Sequence, residues 1–297
     1  MRNFDYKLIH ALDTIIKEQS FEKAAEELNI TQSAISQRIK QLEQLIAQPV
    51  LVRTQPLSVT TVGQKLLRHF RQVKQLEHEL ISQILPDEVD DIVTISIAIN
   101  ADSLASWFIP AISPLLKKHA IELKLQVYDE ARTRELLKKG EVYAALSSES
   151  EPITGCKVTK IADVDYILCA TPEFRTKYFK KGLTKEALYH APGIRFGPQD
   201  TMHIDYIYDH YGVSLGEYPL HTVGSSEAFV AMTVEGLACS LLPITQANEY
   251  LKQGILVDLA PENHLIRSMY WHSWVLERGI FKKVSEYIVK YGRQLLV

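Results

Sequence analysis

Two short helices in close succession are predicted by FEKAAEELNITQSAISQRIKQLEQ, residues 21–44. Ser20 precedes the first run and is suited to cap a helix N-terminus, and Thr31 stands in the same position before the second run. The second run continues to Ile46, and residues 29–30 leave only a short turn between the two. Two helices joined by such a turn form a helix-turn-helix, whose second helix can enter the major groove of DNA.

The exposed face of the second helix carries short or amide-bearing side chains, which suit base edges in a major groove. A helix that only faces solvent would more often carry Glu and Lys. Residues 49–60 predict a two-stranded wing with Arg53 near its tip, where a guanidinium would meet phosphate or a minor groove. The predicted DNA-contacting residues are Thr31, Gln32, Ser33, Ser36, Gln37, Arg38, Lys40 and Arg53.

The charge distribution favours the same interpretation. The 297-residue chain holds 33 Lys and Arg against 36 Asp and Glu, a net charge of −3. Residues 31–75 hold seven cations and one anion, Glu43, for a net charge of +6. A local basic segment in an acidic chain is typical of one DNA-binding module carried by a larger non-binding body. An exposed, solvated helix face is the alternative explanation of such a charge run.

An amphipathic segment over residues 61–85 predicts a long helix with one apolar stripe. A single helix beside a small domain cannot bury this stripe alone, so we expect it to pair with the same helix of a second copy. The alternative is packing on the chain's own body. The predicted dimerisation residues are Leu66, Phe70, Val73, Leu80 and Ile84. The polar segment 86–91 breaks the helix and is the best domain boundary in the chain.

The second half of the chain predicts an α/β domain with a hinged cleft. Residues 92–147 alternate three apolar strands with two helices, a βαβαβ arrangement. Right-handed crossovers place the carboxyl ends of these strands at one edge, where ligands bind in open α/β sheets. A second α/β unit begins near residue 163 with a strand at 165–170. Residues 267–274 predict a returning strand and 278–296 a closing helix, so two crossing strands would link two lobes.

The N-terminal motifs resemble those of the LysR-type transcriptional regulators. The likeness rests on the stretch 21–44 with LVRT at 51–54 and TTVGQKLL at 60–67, and it covers the chain to about residue 65. Ala47 stands where the family usually has Gly, and Val50-Leu51 stands where Leu-Phe is common. Both departures affect the packing of the wing rather than the contact face. The resemblance implies that the long helix is the linker that pairs in a dimer.

Motifs of the second half resemble the ArgP/LysG subgroup of that family: NADSLASWFIPAI, LQVYDEARTRELLKKGEV, SSEAFV and YWH, spread over residues 100–272. Gly224 departs from the subgroup, which has Asn before SSEAFV. The resemblance implies a homodimer that assembles into a homotetramer, and double-stranded promoter DNA and RNA polymerase as partners. It also implies lysine or arginine as the effector that controls genes of amino-acid export or biosynthesis. A nucleoid or replication-associated DNA-binding protein, or a different effector, is the alternative.

An amino-acid effector of this kind presents a carboxylate, an amine and a basic side chain, and the cleft must offer each of them a suitable partner. Its carboxylate suits helix N-termini with hydroxyl groups, and its basic side chain needs an anion because an unpaired buried cation is costly. Asp102 is the first choice for the anion, since it lies between a strand end and a helix start. The predicted effector-binding residues are Asp102, Ser103, Asp129, Glu130, Ser147, Ser225, Ser226 and Glu227.

These acids also have structural alternatives. Asp102 or Ser103 is predicted to cap the helix that follows the first strand, and Pro110 and Pro114 are expected to distort or shorten that helix. Glu227 would equally favour a helix N-terminus through its charge. The adjacent pair Asp129 and Glu130 would be solvated in a turn.

Catalysis, metal binding and membrane insertion find no support in the sequence. No nucleophile, phosphate-loop or metal-ligand motif occurs, and His203 and His210 lack a ligand pattern. We therefore expect no enzyme activity and no cofactor. Three distant cysteines fit a reducing compartment, and no apolar run reaches the length of a membrane span. The expected location is cytoplasmic, without membrane contact.

Together these patterns predict an α+β multi-domain chain: a winged helix-turn-helix, a linker helix and a two-lobed α/β effector domain of the periplasmic-binding-protein type. The predicted ranges are 1–60 for the DNA-binding domain, 61–87 for the linker, and 88–297 for the effector domain, with lobe I at about 91–162 and 268–297 and lobe II at about 163–267.

Overall fold

The computed structural model describes residues 4–84, 92–128 and 130–296. The chain divides into two compact units, residues 1–91 with 136–142 and residues 92–135 with 143–297. The boundary that the sequence predicts at 86–91 lies outside the described residues.

The first unit is a winged helix-turn-helix followed by a long helix. Its elements are α1 (Tyr6–Glu18), α2 (Phe21–Glu27), α3 (Gln32–Ile46), β1 (Leu51–Val52), β2 (Ser58–Val59) and α4 (Thr61–Ile84). The predicted caps are present: the Ser20 hydroxyl accepts from the amide of Lys23, and the Thr31 hydroxyl from that of Ala34. Strands β1 and β2 pair antiparallel and form the predicted wing.

The core of this unit corrects part of the dimerisation prediction. Leu66 and Phe70 are 8% and 5% exposed, and both belong to the core that α1, α2 and α3 form. Their apolar surface is therefore already covered by the chain's own body. Leu80 and Ile84, towards the end of α4, are 56% and 62% exposed, while Val73 is half-buried.

One glycine fixes how closely α4 approaches the wing. A Cβ atom at Gly63 would lie 2.1 Å from the carbonyl oxygen of Val50, well inside van der Waals contact. Val50 itself is fully buried in the same core. The glycine in TTVGQKLL is thus required by the packing of the wing against the start of α4.

The remaining elements build an α/β domain. They are β3 (Val93–Ile99), α5 (Ala101–Ser103), a π-helical turn (Leu104–Phe108), α6 (Ile109–Leu116), β4 (Ile121–Val127), α7 (Glu130–Lys138), β5 (Ala144–Ser147), β6 (Cys156–Ala170), α8 (Pro172–Tyr178), α9 (Lys185–Leu188), β7 (Gly193–Arg195), α10 (Met202–Tyr211), β8 (Leu220–Thr222), α11 (Ser226–Val234), β9 (Ser240–Pro243), α12 (Ile244–Lys252), β10 (Val257–Asp258), β11 (Leu265–Trp274) and α13 (Gly279–Leu295).

The sheet has the predicted crossing strands at its centre. Strands β4, β3 and β5 are parallel neighbours, which confirms the βαβαβ prediction. Strand β11 then pairs antiparallel with both β5 and β6, and β6 pairs with β9 and β10. Strand β6 is fifteen residues long, much longer than the predicted 165–170, because its first half runs beside β11 before the second α/β part begins. A separate parallel pair, β7 and β8, lies in that second part.

The helix after β3 differs from its predicted start. Asn100 occupies the N-cap position without a side-chain cap, and Asp102 and Ser103 lie in the first helical turn. The prediction that one of these two caps the helix is therefore wrong. The expected distortion takes the form of the π-helical turn at Leu104–Phe108, which ends two residues before Pro110. A π turn changes the local hydrogen-bond ladder, so helical structure continues to Leu116 despite the prolines.

Candidate DNA-binding surface and ligand cavity

The predicted DNA-contacting side chains lie on helix α3 and beside the wing. Seven of the eight are exposed, and Arg38 is half-buried. The opposite side of α3 supplies Ile35, Ile39 and Leu42, which are completely buried in the core of the first unit. One face of α3 is thus anchored, and its other face presents the predicted residues to solvent.

Most of this exposed face makes no side-chain hydrogen bond within the described residues, as seen for Gln32, Ser36 and Gln37. Thr31 differs, since its hydroxyl caps α3 and lies 2.9 Å from the hydroxyl of Ser33. The helix backbone therefore positions the amide side chains, whose donors and acceptors stay available for base edges.

Two arginines of the basic segment have different surroundings. The guanidinium carbon of Arg53 lies 5.5 Å from the ring centroid of Phe21, a cation–π contact that leaves the arginine exposed beside the wing. Arg71 instead forms an ion pair with Asp13, in which its Nη2 and Nε both lie near the same carboxylate oxygen, Oδ1, at 2.8 and 2.9 Å. The charge of Arg53 is thus available to phosphate, whereas that of Arg71 is compensated within the chain.

The α/β domain contains a cavity at the carboxyl ends of β3 and β4. Asn100, Ala101 and Asp102 line it after β3, and Tyr128 lines it after β4. The other lining residues come from the second α/β part and from β11: Phe196, Gln199, Asp200, Thr201, Met202, Phe229, Leu241 and Arg267. The described lining contains two carboxylates and one guanidinium among apolar and aromatic side chains.

Asp102 is held by hydroxyl groups on both carboxylate oxygens. The Tyr166 hydroxyl on β6 donates to Oδ2 at 2.9 Å, and the Ser226 hydroxyl at the start of α11 donates to Oδ1 at 2.6 Å. The Ser226 hydroxyl also lies 3.1 Å from the side-chain oxygen of Gln246. Asp102 thereby links the first helical turn after β3 to two elements of the second part.

Asp200 is held by the backbone instead. Its Oδ2 accepts from the amide of Phe196 at 2.7 Å, and its Oδ1 accepts from the amide of Met202 at 3.1 Å. These two bonds hold the loop between β7 and α10 against the first residue of α10, and residues 196–202 supply five of the lining residues. The carboxylate is half-buried and makes no ion pair within the described residues.

Several predicted effector residues lie away from this cavity. Ser147 is completely buried and accepts from the amide of Glu149, and Ser103 is also buried, so neither hydroxyl lines the cavity. Ser225 caps α11 by accepting from Ala228 and donates to Glu227, and Glu227 lines a separate, more open groove. None of these four residues lines the cavity, so their assignment to the ligand site stays a prediction.

The remaining predicted acids are Asp129 and Glu130. Asp129 lies outside the described residues, and of Glu130 only the backbone, as the first residue of α7, is described. Of the eight predicted residues, the structure therefore brings two together: Asp102 lines the cavity, and the Ser226 hydroxyl donates to the Asp102 carboxylate.

Two charged residues of the cavity, Asp200 and Arg267, have no counterpart in the sequence prediction. Strand β7 comprises only three residues, so its periodicity does not mark the loop after it as a strand end. The turn-forming dipeptide Gly197-Pro198 followed by an acid before an apolar helix was the available signal. Arg267 lies on β11, within a strand that the sequence does predict.

The buried histidines are structural rather than metal-binding. No group of three or more His, Cys, Asp or Glu side chains in the described residues could hold a metal ion. Burial lowers the pKa of His203 to about 4, and its Nδ1 has no hydrogen-bond partner among the described residues. Burial, together with the charge of Arg134, lowers the pKa of His272 to about 4, and its Nε2 lies 2.8 Å from the carbonyl oxygen of Glu149. Both imidazoles are neutral at pH 7.

Comparison with known families identifies the class. Residues 6–64 match the bacterial regulatory helix-turn-helix protein family of lysR type, and residues 93–278 match the LysR substrate binding domain. The chain belongs to the LysR family of bacterial transcriptional regulators. The expectation that it is a regulator rather than an enzyme is confirmed by its curated relatives.

Individual relatives narrow the class to the ArgP/LysG type. The chain is 51% identical over 296 residues to the HTH-type transcriptional regulator ArgP of Aeromonas salmonicida, covering 100% of this chain and 99% of that one. The corresponding regulator of Photobacterium profundum is 47% identical, with the same coverage. Among the described residues, no helix combines the length and apolar character that crossing a membrane requires.

Two solved structures share the whole fold. ArgP from Mycobacterium tuberculosis is 29% identical with a TM-score of 0.89, and 99% of each chain is covered. Full-length LysG from Corynebacterium glutamicum, in a structure with bound effector Arg, is 32% identical with a TM-score of 0.83 and the same coverage. The winged helix-turn-helix, long helix and two-lobed α/β domain are thus common to all three proteins.

Proposed function

We propose that this LysR-type regulator senses a basic amino acid, lysine or arginine, in the cavity of its α/β domain. Binding would change how its helix-turn-helix acts at promoters of amino-acid export or biosynthesis genes. Such a regulator would act in the cytoplasm, with RNA polymerase as a further partner. The similarity to LysG, whose structure holds Arg, supports the effector class.

The charges of the cavity carry this proposal. Lysine and arginine each present one carboxylate and two cationic groups, and the described lining presents one guanidinium and two carboxylates. Asp200 and Arg267 offer opposite charges to the basic side chain and the carboxylate of such an effector, and Asp102 adds a second negative charge to the same lining. A neutral amino acid would leave one carboxylate of the lining without a cation, which costs binding free energy in a partly desolvated site.

A panel of the twenty amino acids in a thermal-shift measurement tests the proposal. A ligand that binds only the folded state raises the melting temperature, so lysine or arginine should produce the largest shift. Operator binding should change in the presence of the same amino acid. A panel in which neither basic amino acid shifts the melting temperature, or in which a neutral one shifts it most, would contradict the assignment.

DNA binding by this protein is expected to involve Gln32, Ser33, Ser36 and Gln37 at the N-terminal end of α3, where side chains reach base edges. The remaining predicted residues would contact the phosphate backbone of DNA, from α3 or from beside the wing: Thr31, Arg38, Lys40 and Arg53. The exposed position of these residues on a helix that is anchored by its other face supports this assignment.

Self-association through α4 is the second part of the proposal. The exposed apolar residues Leu80, Ile81 and Ile84 form the available surface on the last turns of this helix, with Val73 half-buried before them. Leu80→Glu should yield monomers with weak operator binding, because each half-site alone binds weakly. Sedimentation of this variant as an undisturbed oligomer would contradict a role for α4 in assembly. Lys74→Gln, on the same helix, changes the net charge by the same −1 and is the matched control.

A further inference from the structure

We infer that Asp200 recognises the cationic side chain of the effector, while Asp102 positions the walls of the cavity. This inference rests on the proposed function, because it assigns roles within the same site. It reverses the expectation from sequence, in which Asp102 is the first choice for the ligand-binding anion.

The contacts of Asp102 are those of a positioning residue. Each of its carboxylate oxygens accepts a hydroxyl from another element, Tyr166 on β6 and Ser226 on α11. Hydrogen bonds to a charged group are among the stronger ones, so this carboxylate keeps the first turn after β3 in a fixed place relative to α11. An effector that competed for these oxygens would have to displace a hydroxyl from the protein's own network.

Asp200 is prepared for a ligand in a different way. Two backbone amides fix the carboxylate and stabilise its charge, but they do not neutralise it. No cation of the described residues pairs with it. The aromatic ring of Phe196 lines the same cavity, and it can contact an aliphatic chain or a flat guanidinium. The ring of Tyr128 already has the guanidinium carbon of Arg132 at 4.6 Å from its centroid. A cationic side chain that enters here meets a fixed anion without displacing any protein contact.

The carboxylate of the effector needs a cationic partner, and Arg267 can supply it. It is the one cationic side chain in the described lining, and it stands on β11, a strand at the centre of the sheet. A guanidinium on a rigid strand suits bidentate recognition of a carboxylate. The α-carboxylate of an amino acid is therefore assigned to Arg267, and its basic side chain to Asp200.

Calorimetry with arginine and citrulline tests the role of Asp200. Citrulline has a neutral urea in place of the guanidinium and keeps the rest of the molecule. The wild-type protein should bind arginine at least tenfold more tightly than citrulline. Asp200→Asn should lower arginine affinity by tenfold or more and leave citrulline affinity within threefold, so that the discrimination disappears. Asp102→Asn should weaken both ligands by a similar factor, at least tenfold, and keep their ratio.

Measurements on two further variants keep the assignment testable if Asp200→Asn fails to fold. Asp200→Ser retains a side-chain oxygen that can accept one loop amide, and it should lose the discrimination in the same way. Arg267→Gln should keep the ratio of arginine to citrulline but abolish the preference for arginine over argininamide, which lacks the carboxylate charge.

The outcomes separate the two levels of the proposal. A wild-type protein that binds neither lysine nor arginine overturns the proposed function. A wild-type protein that binds arginine, with Asp200 variants that still discriminate arginine from citrulline, overturns only the role of Asp200. Loss of the discrimination in Asp102→Asn instead would return the cationic site to Asp102.

Discussion

The recognition surface on α3 and the cavity of the α/β domain organise their polar groups in opposite ways. On α3, Gln32, Ser36 and Gln37 are exposed and make no side-chain hydrogen bonds within the described residues. In the cavity, Asp102 accepts the hydroxyls of Tyr166 and Ser226, and Asp200 accepts two loop amides. The surface relies on the helix backbone for its geometry, whereas the cavity relies on a network of side chains and loop amides.

This difference determines what a substitution should do. A polar residue on α3 that loses its side chain leaves no unsatisfied group behind, so folding stability should hardly change. A cavity residue that loses its side chain leaves a charged partner short of a hydrogen bond, so stability and ligand binding should fall together. Substitutions on α3 should therefore change DNA recognition without a loss of stability, whereas substitutions in the cavity should change ligand binding and stability together.

Acidification should distinguish the two units most strongly. His203 has a pKa of about 4 in the folded protein and an ordinary pKa near 6.5 when unfolded. Below pH 6.5 this histidine is protonated in the unfolded state but stays neutral in the folded state. The free energy of unfolding therefore decreases as the pH is lowered to about 4, and then levels off. This single group should cost about 3 kcal/mol across that window.

The measurement is urea unfolding of the whole chain between pH 7 and pH 4, followed by hydrogen exchange in each unit. The α/β domain should lose protection before the helix-turn-helix does. His203→Gln should reduce the pH dependence without abolishing it, because His272 in the same domain also has a pKa of about 4. A pH dependence that is identical in the variant would show that His203 does not contribute.

A matched pair of serine substitutions addresses the comparison directly. Ser226→Ala removes the hydroxyl that donates to Asp102, and it should cost about 1.5–3 kcal/mol of stability, the range for hydrogen bonds to charged groups. Ser36→Ala removes an exposed hydroxyl on α3 and should change stability by less than about 0.5 kcal/mol. Chemical denaturation measures both values, and equal costs would remove the distinction between surface and cavity.

The recognition surface should respond in DNA binding instead. Gln37→Ala should relax base preference at one operator position, at a cost of about 1–3 kcal/mol, with unchanged stability. Arg53→Ala should weaken binding to all DNA sequences and reduce the slope of log affinity against log salt by about one unit. Binding titrations on operator variants at several salt concentrations measure both effects. Intact discrimination in Gln37→Ala would show that this side chain reads no base.

Local signals in the sequence account for what was predicted correctly. The caps Ser20 and Thr31 and the apolar spacing of α3 depend on neighbours within a few residues, and the structure contains both helices where expected. The apolar stripe on α4 indicated that one face of this helix is buried. It did not indicate whether that face packs against the chain's own body or against a second copy. Leu66 and Phe70 belong to the chain's own core because α4 starts beside α1, whereas Leu80 and Ile84 lie beyond that contact.

The cavity required information that periodicity does not contain. Asp102 and Ser226 are separated by 124 positions in the chain, and only the sheet topology brings them together. Asp200 reaches the same cavity after a strand of three residues, which is too short to have a recognisable pattern. Asp102 was placed at the correct strand end, but its role depends on two hydroxyls that no local motif indicates.

The end of the recognition helix provides the smallest and most local test. Ala47 follows α3 in the left-handed conformation, with φ 57° and ψ 27°, which glycine adopts more easily than any other residue. This conformation brings a Cβ atom close to the neighbouring carbonyl oxygen, a strain of about 1–2 kcal/mol that glycine avoids. Glycine also makes the unfolded chain more flexible, which offsets about 0.5–1 kcal/mol of that gain.

Ala47→Gly should therefore stabilise the helix-turn-helix by about 0.5–1 kcal/mol. Ala34→Gly, in the right-handed part of the same helix, is the matched control and should destabilise it by about 0.5–1 kcal/mol, because glycine is a poor helix former there. Hydrogen exchange of the α3 amides follows both changes. Operator affinity of Ala47→Gly should match wild type, since Ala47 lies outside the predicted contact residues. If both variants destabilise α3, the left-handed conformation of Ala47 carries no strain that glycine relieves.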